Sequence, residues 1–79
     1  MASAFVLINT ELGSESEVLE QLRKIDAIKE SYTVYDVYDV VAKVSADTMD
    51  KLKEIVTWKV RQLDKVRSTL TLIMIEGQN

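Results

Sequence analysis

The chain carries apolar side chains at two spacings, one typical of strands and one typical of helices. Residues 4–9 (AFVLIN) form an almost continuous apolar run, which predicts a central strand buried on both faces. Gly13 then interrupts the pattern, and Ser14 with Glu17 has the spacing of a capping box that starts a helix. The apolar residues that follow have helical spacing and are expected to face the sheet: Val18, Leu19, Leu22 and Ile25.

The middle of the chain predicts two strands with different surroundings. In residues 27–35 the side chains alternate, and Ile28, Tyr32 and Val34 are expected on one face, toward the core. The other face of this strand is polar, which is best accommodated at the edge of a sheet. Residues 38–44 (YDVVAKV) are more apolar and therefore predict a more central strand.

A second helix and a last strand complete the pattern. Asp47 and Asp50 resemble an N-cap and a first-turn acid, so the helix is expected to begin there. Its apolar residues fall within one narrow arc, with Ile55 beside it: Met49, Leu52, Val56, Val60 and Leu63. Residues 65–76 (KVRSTLTLIMIE) predict a strand with Leu70, Leu72 and Met74 on the core-facing side and Thr69, Thr71, Ile73 and Ile75 on the other.

The order strand, helix, strand, strand, helix, strand predicts an α+β fold of the ferredoxin-like type. In that fold a four-stranded antiparallel sheet carries both helices on one face. The chain contains no proline and no linker-like segment, so one domain is expected to fill residues 1–79.

The second face of such a sheet has no helix to cover it. Val41, Ile73 and Ile75 lie on the alternation expected to face away from the helices. An apolar sheet face on a chain of only 79 residues predicts an obligate two-fold homodimer that packs sheet against sheet. The alternative is a monomer with a few exposed aliphatic side chains.

Composition limits the chemistry that the chain can perform. It contains no cysteine and no histidine, which excludes disulfides, thiolate metal sites and the usual general base. We therefore predict no catalytic residue, no metal site and no cofactor.

The net charge of −3 is unevenly distributed, because residues 51–79 carry six basic and three acidic side chains. These charges alternate in sign, so we expect a solvated helix face without direct nucleic-acid binding. The apolar run near the N-terminus is too short to span a membrane, and a cytoplasmic protein is expected.

A repeated triplet, Val-Tyr-Asp, occurs at residues 34–36 and 37–39. In one continuous strand Asp36 would point into the core, and an unpaired buried charge is too costly, so a hairpin turn is expected near residues 36–37. The turn would gather Tyr35, Asp36, Tyr38 and Asp39 at one end of the sheet, where aromatic walls and acceptors suit a small polar ligand. The alternative is that Asp36 is only a turn residue and that Asp39 accepts backbone N–H groups.

These residues carry a resemblance to a known family. Tyr38-Asp39 precedes an apolar strand and a helix, and residues 66–71 (VRSTLT) precede an aliphatic run. Over nearly its whole length the chain resembles the C-terminal effector-binding (RAM) domain of the Lrp/AsnC (feast/famine) transcription regulators. The resemblance implies a ferredoxin-like fold, dimers formed by sheet-to-sheet packing, and rings of dimers with an amino-acid effector bound between them.

The resemblance also implies positions for the effector pocket. The family's hairpin signature, Gly-x-Tyr-Asp, ends in a pair that matches Tyr38-Asp39. With the rest of the hairpin and the last strand, the predicted ligand-binding residues are Tyr35, Asp36, Tyr38, Asp39, Thr69 and Thr71. The glycine position of the signature is Asp36 here, and aspartate adopts positive φ less readily than glycine. This departure is expected to narrow the pocket, change its ligand or remove binding.

Full-length members of the family begin with a helix-turn-helix domain, whereas this chain begins directly at the first strand of the effector domain. It resembles the stand-alone members, which would sense an amino acid, assemble with full-length regulators, or do both. An excised domain of a longer protein is the other reading. Trp58 should project outward from the second helix, either as a contact between dimers or as a surface aromatic lying on its own helix.

Two other function classes compete with a non-enzymatic sensor. Dimeric ferredoxin-like barrels also host cofactor-independent monooxygenases and isomerases, which would need a catalytic pair between the helices and the sheet. Tyr32 and Tyr38 are the candidates, but the chain offers no histidine and no acid is predicted inside the core, so a non-enzymatic role is favoured. The second competing class is a structural assembly subunit without a ligand.

Overall fold

The predicted order of strands and helices is confirmed in the computed structural model, which describes residues 1–75. The elements are β1 (Ala2–Thr10), α1 (Glu15–Arg23), β2 (Ile28–Thr33), β3 (Val40–Ala46), α2 (Met49–Ile55) with a π-helical continuation (Val56–Val60), and β4 (Val66–Met74). The last strand was predicted to reach Glu76, which lies outside the described residues.

The four strands form one antiparallel sheet in the order β2-β3-β1-β4. β1 therefore lies in the middle and β2 at an edge, as predicted. Both helices pack on the same face of the sheet, which makes the fold ferredoxin-like. The core between them consists of helix residues Val18, Leu22, Leu52, Val56 and Val60 and sheet residues Ala2, Ala4, Val6, Ile8, Val40, Ala42 and Val44. Among residues 1–75 there is no helix long and apolar enough to cross a membrane.

The prediction that β1 is buried on both faces is wrong. Its even-numbered residues, such as Val6, are buried under the helices, whereas odd-numbered residues such as Phe5 and Leu7 are half-buried. The reason is that the two helices described within residues 1–75 both lie on the other face of the sheet. The apolar run of β1 thus contributes to two surfaces, only one of which is the core.

The register between β1 and β4 reverses the predicted faces of β4. Ile73 pairs with Ala4 and Thr71 pairs with Val6, so these side chains face the helices. Leu72 pairs with Phe5 and therefore lies on the opposite side. The more apolar side of β4 therefore faces away from the helices, beside the odd-numbered residues of β1.

The predicted interface residues are corrected accordingly. Val41 pairs with Leu7 and does lie on the helix-free side, whereas the placement of Ile73 there is wrong. Ile75 follows the end of β4 and is 86% exposed, so it belongs to no face of the strand. We call the helix-free side the uncovered face; its apolar residues are Phe5, Leu7, Val41, Leu70, Leu72 and Met74.

A β-bulge in β2 overturns a second predicted face. Ile28 pairs with Val44 but Glu30 pairs with Lys43, so one extra residue, Lys29, separates the two pairs. Every later side chain of β2 therefore changes sides. Tyr32, expected in the core, lies opposite Val41 on the uncovered face and is 55% exposed.

The two helices begin differently from the predictions. Ser14 is the N-cap of α1, but its side chain makes no capping hydrogen bond, so the predicted capping box does not form. The N-cap of α2 is Thr48 rather than Asp47, because the Lys51 N–H donates to Thr48 Oγ1 at 3.1 Å. Asp50 lies in the first turn of α2, as predicted.

Candidate functional site

The connection between β2 and β3 is the hairpin turn that the repeated triplet predicts. It spans residues 34–39, and its ends are joined by the Val34 N–H, which donates to the Asp39 carbonyl oxygen at 2.8 Å. At the tip, Asp36 Oδ1 accepts the Val37 N–H at 2.8 Å, and Tyr35 is fully exposed. The hydrogen bond between Asp36 and the Val37 N–H therefore stabilises the tip of the turn, and the ring of Tyr35 is exposed to solvent.

Asp39 fixes the start of β3 to the end of β1. Its Oδ2 accepts the Thr10 N–H at 2.9 Å and the Thr10 hydroxyl at 3.4 Å, while the Asp39 N–H donates to the Ile8 carbonyl oxygen at 2.9 Å. Thr10 is only 5% exposed, so the carboxylate satisfies a buried backbone donor. The alternative prediction, that Asp39 accepts a backbone N–H, is thus confirmed. Both bonds from Thr10 go to Oδ2, and neither goes to the second carboxylate oxygen, Oδ1.

An open cleft lies where β1 ends and β4 begins, with a volume of about 390 Å³. We call it the strand-end cleft; it is lined by Asn9, Thr10, Asp39, Arg67 and Ser68. Asn9 Nδ2 donates to Ser68 Oγ at 3.1 Å across the two strands. The cleft thus combines a carboxylate, a guanidinium and three neutral polar side chains.

The position of Arg67 follows from an irregularity in the pairing of β1 and β4. Asn9 pairs with Ser68 and Thr10 pairs with Val66, so Arg67 is the extra residue between the two pairs. An extra residue is not aligned by the ladder, and bulges commonly redirect a side chain at a site. Arg67 borders the strand-end cleft on one side and a second opening, near Thr69 and Arg61, on the other.

The six predicted ligand-binding residues do not share one cavity within a single chain. Only Asp39 lines the strand-end cleft. Thr69 lines the second opening, of about 290 Å³, and Thr71 lines a third beneath α2, of about 170 Å³. The remaining three, Tyr35, Asp36 and Tyr38, belong to the hairpin connection.

Sequence reasoning missed four residues of the strand-end cleft: Asn9, Thr10, Arg67 and Ser68. Arg67 and Ser68 stand inside the motif VRSTLT that supported the family resemblance, so that motif was the available signal. Asn9 and Thr10 carry no such signal, because their role depends on the strand ends meeting in space.

The uncovered face carries a polar pair beside its apolar residues. Tyr32 Oη donates to Glu30 Oε1 at 2.7 Å. This hydrogen bond, followed by the charge of Glu30 and by burial, raises the pKa of Tyr32 above its ordinary value. Lys43 pairs with Glu30 on the adjacent strand, so this side of the face is charged.

Trp58 projects outward from the π-helical segment, as predicted, and is 69% exposed. It borders a shallow opening of about 390 Å³. The residues around this opening, which we call the Trp58 surface, are Lys51, Glu54, Ile55, Trp58 and Lys59.

No group of three or more potential metal-ligating side chains occurs within residues 1–75.

Comparison with known proteins gives consistent matches. The sequence matches the Lrp/AsnC ligand binding domain over residues 3–77. The crystal structure of FFRP-DM1 is 40% identical, with a TM-score of 0.91, and the match covers 95% of this chain and 100% of that one. Among curated proteins, none is similar enough in sequence to count as a match.

Two further solved structures are regulators. Escherichia coli AsnC is 25% identical with a TM-score of 0.89, and the match covers 96% of this chain but 52% of AsnC. The Neisseria meningitidis transcriptional regulator NMB0573, solved as a complex with L-Met, has a TM-score of 0.84 at 11% identity, covering 99% of this chain and 52% of that one. At that identity the second match shows a shared fold alone.

Proposed function

The chain belongs to the Lrp/AsnC ligand-binding domain family, and from this premise we propose that it is a non-enzymatic regulatory module that binds a free amino acid. The module acts by forming dimers and rings of dimers whose assembly responds to the effector. Its output is control of transcription or of amino-acid metabolism, directly or through association with full-length regulators of the family. Such a module would act in the cytoplasm.

The observation that carries this proposal is that Asp39 and Arg67 both line the strand-end cleft. A free amino acid carries an ammonium and a carboxylate on adjacent atoms. A carboxylate such as that of Asp39 complements the ammonium, and a guanidinium complements the carboxylate by two parallel hydrogen bonds. Asn9 and Ser68, which are bonded to each other, supply neutral polar contacts at the same place.

Asp39 is held in position before any ligand arrives. The two bonds from Thr10 fix the carboxylate through Oδ2, so Oδ1 is the oxygen that we assign to the ligand. A group that is already fixed loses little conformational freedom on binding, which favours affinity. The amino-acid class of ligand is also that of the Neisseria regulator, which shares this fold and is a complex with L-Met.

We propose that the remaining predicted residues reach the ligand from a neighbouring copy. The apolar residues of the uncovered face, including Leu70 and Leu72, support a two-fold dimer that packs sheet against sheet. Hairpin tips carrying Tyr35 and Asp36 would then close clefts between dimers. This arrangement explains why the six residues are scattered over a single chain. In it, Asp36 narrows the entrance where the family signature has glycine.

The position of Tyr32 in the sheet argues against the enzymatic alternative. It relied on Tyr32 as a tyrosine between the helices and the sheet, whereas Tyr32 lies on the uncovered face. Without that side chain, the predicted pair of catalytic tyrosines no longer shares a cavity. We therefore retain the amino-acid sensor as the single proposed function.

The proposal is tested by a thermal-shift screen of the purified protein against the twenty amino acids. A ligand that binds only the folded state at one hundred times its Kd raises the free energy of unfolding by about 2.7 kcal/mol. One or a few amino acids should raise the melting temperature, and light scattering should report a concurrent change in mass. If none of the twenty changes the melting temperature at millimolar concentration, the sensor proposal is wrong.

Analogues of the best amino acid sharpen the test. The corresponding amine lacks the carboxylate, and the N-acetylated form lacks the ammonium. Recognition by both Asp39 and Arg67 predicts that neither analogue shifts the melting temperature. An analogue that binds as well as the amino acid would show that one of the two charged contacts is misassigned.

A further inference from the structure

The second opening beside Arg67 is lined by positive charge without any negative charge. The residues around it are Arg61, Val66, Arg67, Ser68 and Thr69. Two of these residues carry a guanidinium and none carries a carboxylate. A guanidinium binds a carboxylate by two parallel, charge-assisted hydrogen bonds. The second opening is therefore suited to an anionic group of a ligand.

The turn between the second helical segment and β4 brings Arg61 to this place. Arg61 follows the π-helical segment, where its N–H donates to the Val56 carbonyl oxygen at 3.0 Å. The chain then turns through Lys65, where φ is 72°, before β4 begins. The end of the helical segment and the extra residue Arg67 thus border the same opening.

The second opening adjoins the strand-end cleft. Arg67 and Ser68 line both spaces, so the two spaces meet at these side chains. Ser68 Oγ accepts a hydrogen bond from Asn9 Nδ2 at 3.1 Å, and a hydroxyl that accepts can also donate its own proton to a carboxylate. An amino acid whose α-carbon lies in the strand-end cleft can therefore extend its side chain past Arg67 toward Arg61.

The charges of the two spaces, taken together, match one class of amino acid. Asp39 supplies one carboxylate, and Arg61 and Arg67 supply two guanidinium groups. An acidic amino acid carries the complementary set, which is one ammonium and two carboxylates. A neutral side chain would leave Arg61 without an anionic partner, and a basic side chain would place a like charge beside it. The charges therefore favour aspartate and glutamate.

Other charged side chains lie near this region without lining the second opening. Glu11 borders a different opening, which it shares with Arg67. Asp64 and Lys65 are adjacent in the turn and carry opposite charges. Asp36, which the proposed function places at the entrance between dimers, lines neither the cleft nor the second opening of a single chain. None of these carboxylates therefore replaces the ligand as the partner of Arg61 inside the opening.

We propose that the effector of this chain is an acidic amino acid whose side-chain carboxylate binds Arg61 in the second opening. This inference rests on the proposed function, in which Asp39 takes the ammonium and Arg67 takes the α-carboxylate. It adds Arg61 as the residue that determines specificity. The first two contacts are common to every free amino acid, whereas the third selects the side chain.

Pairs of amino acids that differ in one terminal group test the inference. L-glutamate differs from L-glutamine, and L-aspartate from L-asparagine, only by a carboxylate in place of an amide. At equal concentration and ionic strength, at least one acid should raise the melting temperature more than its amide does. In calorimetric titrations that acid should bind about tenfold to one hundredfold more tightly, because hydrogen bonds between two charged groups are stronger.

Arg61→Gln should remove the preference for the acid over its amide. The substitution replaces a guanidinium by a neutral side chain at an exposed position, so the fold should persist. Lys59→Gln is the matched control. It removes the same charge from the same helical segment, but Lys59 lines the Trp58 surface and not the second opening. This control should bind the acid and the amide with the native ratio of affinities.

Three results would overturn the inference. These are an amide that binds as tightly as its acid, an Arg61→Gln variant that keeps the preference, or a Lys59→Gln variant that loses it as Arg61→Gln does. A largest thermal shift from an amino acid without an acidic side chain would remove the acidic specificity and retain the sensor. A protein that no amino acid stabilises would instead remove the proposed function, so the two failures give different results.

Discussion

Asp39, which immediately precedes β3, is joined to Thr10, the last residue of β1, through a single carboxylate oxygen. The bond from the Thr10 N–H, at 2.9 Å, is the shorter of the two contacts and belongs to a residue that is only 5% exposed. The side chain that we assign to the ammonium of the ligand therefore also stabilises the sheet. Substitutions can separate these two roles, because the first needs a negative charge and the second needs only an acceptor.

Asp39→Asn should abolish the amino-acid-induced thermal shift while the protein stays folded. The asparagine carbonyl oxygen can still accept the Thr10 N–H, but the side chain no longer carries the charge that attracts an ammonium. Asp39→Ala should also lose ligand binding, and it should lower the free energy of unfolding by about 1–3 kcal/mol because a buried donor loses its acceptor. Chemical denaturation with and without the amino acid measures both effects.

Asp36→Ala is the matched control for the stability effect of Asp39→Ala. Asp36 belongs to the same hairpin, but its carboxylate accepts only the adjacent Val37 N–H at an exposed position. The free energy of unfolding should therefore change by less than about 0.5 kcal/mol. If Asp39→Asn binds the amino acid as well as the native protein does, the ammonium site lies elsewhere.

Leu72→Lys should break the dimer. Leu72 lies on the uncovered face, paired with Phe5, and a lysine there would bring a charge into the proposed sheet-to-sheet contact. Sedimentation should show monomers, or an unfolded chain, at concentrations where the native protein is dimeric.

Ile75→Lys introduces the same charge beyond the end of β4, at a highly exposed side chain. This control should leave the sedimentation coefficient unchanged. An unperturbed dimer in Leu72→Lys would show that the uncovered face is not the interface.

The hydrogen bond between Tyr32 and Glu30 predicts a measurable titration. In a chain whose other tyrosines are replaced by phenylalanine (Tyr35→Phe/Tyr38→Phe), the absorbance of phenolate should report a Tyr32 pKa above the ordinary value near 10. Glu30→Gln should lower this pKa toward the ordinary value, because the charge of Glu30 and its strong acceptor are removed. Equal midpoints in the two proteins would show that the bond does not persist in solution.

The raised pKa of Tyr32 also predicts how the free energy of unfolding changes at alkaline pH. Because the folded-state pKa of Tyr32 is raised, the unfolded chain loses the tyrosine proton first as pH increases. The contribution of the bond to stability is therefore complete below about pH 10 and is lost as pH rises through the folded-state pKa.

The two helix caps predict unequal effects of similar substitutions. Thr48→Ala removes the acceptor of the Lys51 N–H and should lower the free energy of unfolding by about 1 kcal/mol. Ser14→Ala should change it by less than about 0.5 kcal/mol, because the Ser14 side chain makes no capping bond. Urea denaturation of the two variants compares them directly. Equal losses would mean that the capping difference has no energetic consequence.

The order of elements was predictable because hydrophobic period is a local property of the sequence. The apolar arc of α2 illustrates this, since Leu52, Val56 and Val60 are buried as their spacing predicts. The faces of β2 and β4 were not predictable in the same way. In β2, the extra residue Lys29 moves the later side chains to the other face of the sheet. In β4, the pairing of Ile73 with Ala4 decides which face Ile73 lies on. Alternation within one strand shows neither the bulge nor the pairing.

The candidate site was predictable only where a motif marked it. The repeated triplet pointed to Asp39. Arg67 belongs to the motif VRSTLT, which supported the family resemblance, but nothing in the sequence assigned Arg67 a role in the pocket. Asn9 and Thr10 come from the far end of the chain and enter the cleft because β1 lies between β3 and β4. A strand order is a property of the folded sheet, which explains why these two residues gave no earlier signal.

The bulge at Lys29 has a further consequence for the solubility of the protein. The strand order makes β2 one of the two edges of the sheet, and an edge exposes backbone groups that can pair with strands of other molecules. The extra residue interrupts a straight row of such groups, and Lys29 and Glu30 place opposite charges beside the interruption. This edge is therefore a poor template for aggregation by strand addition.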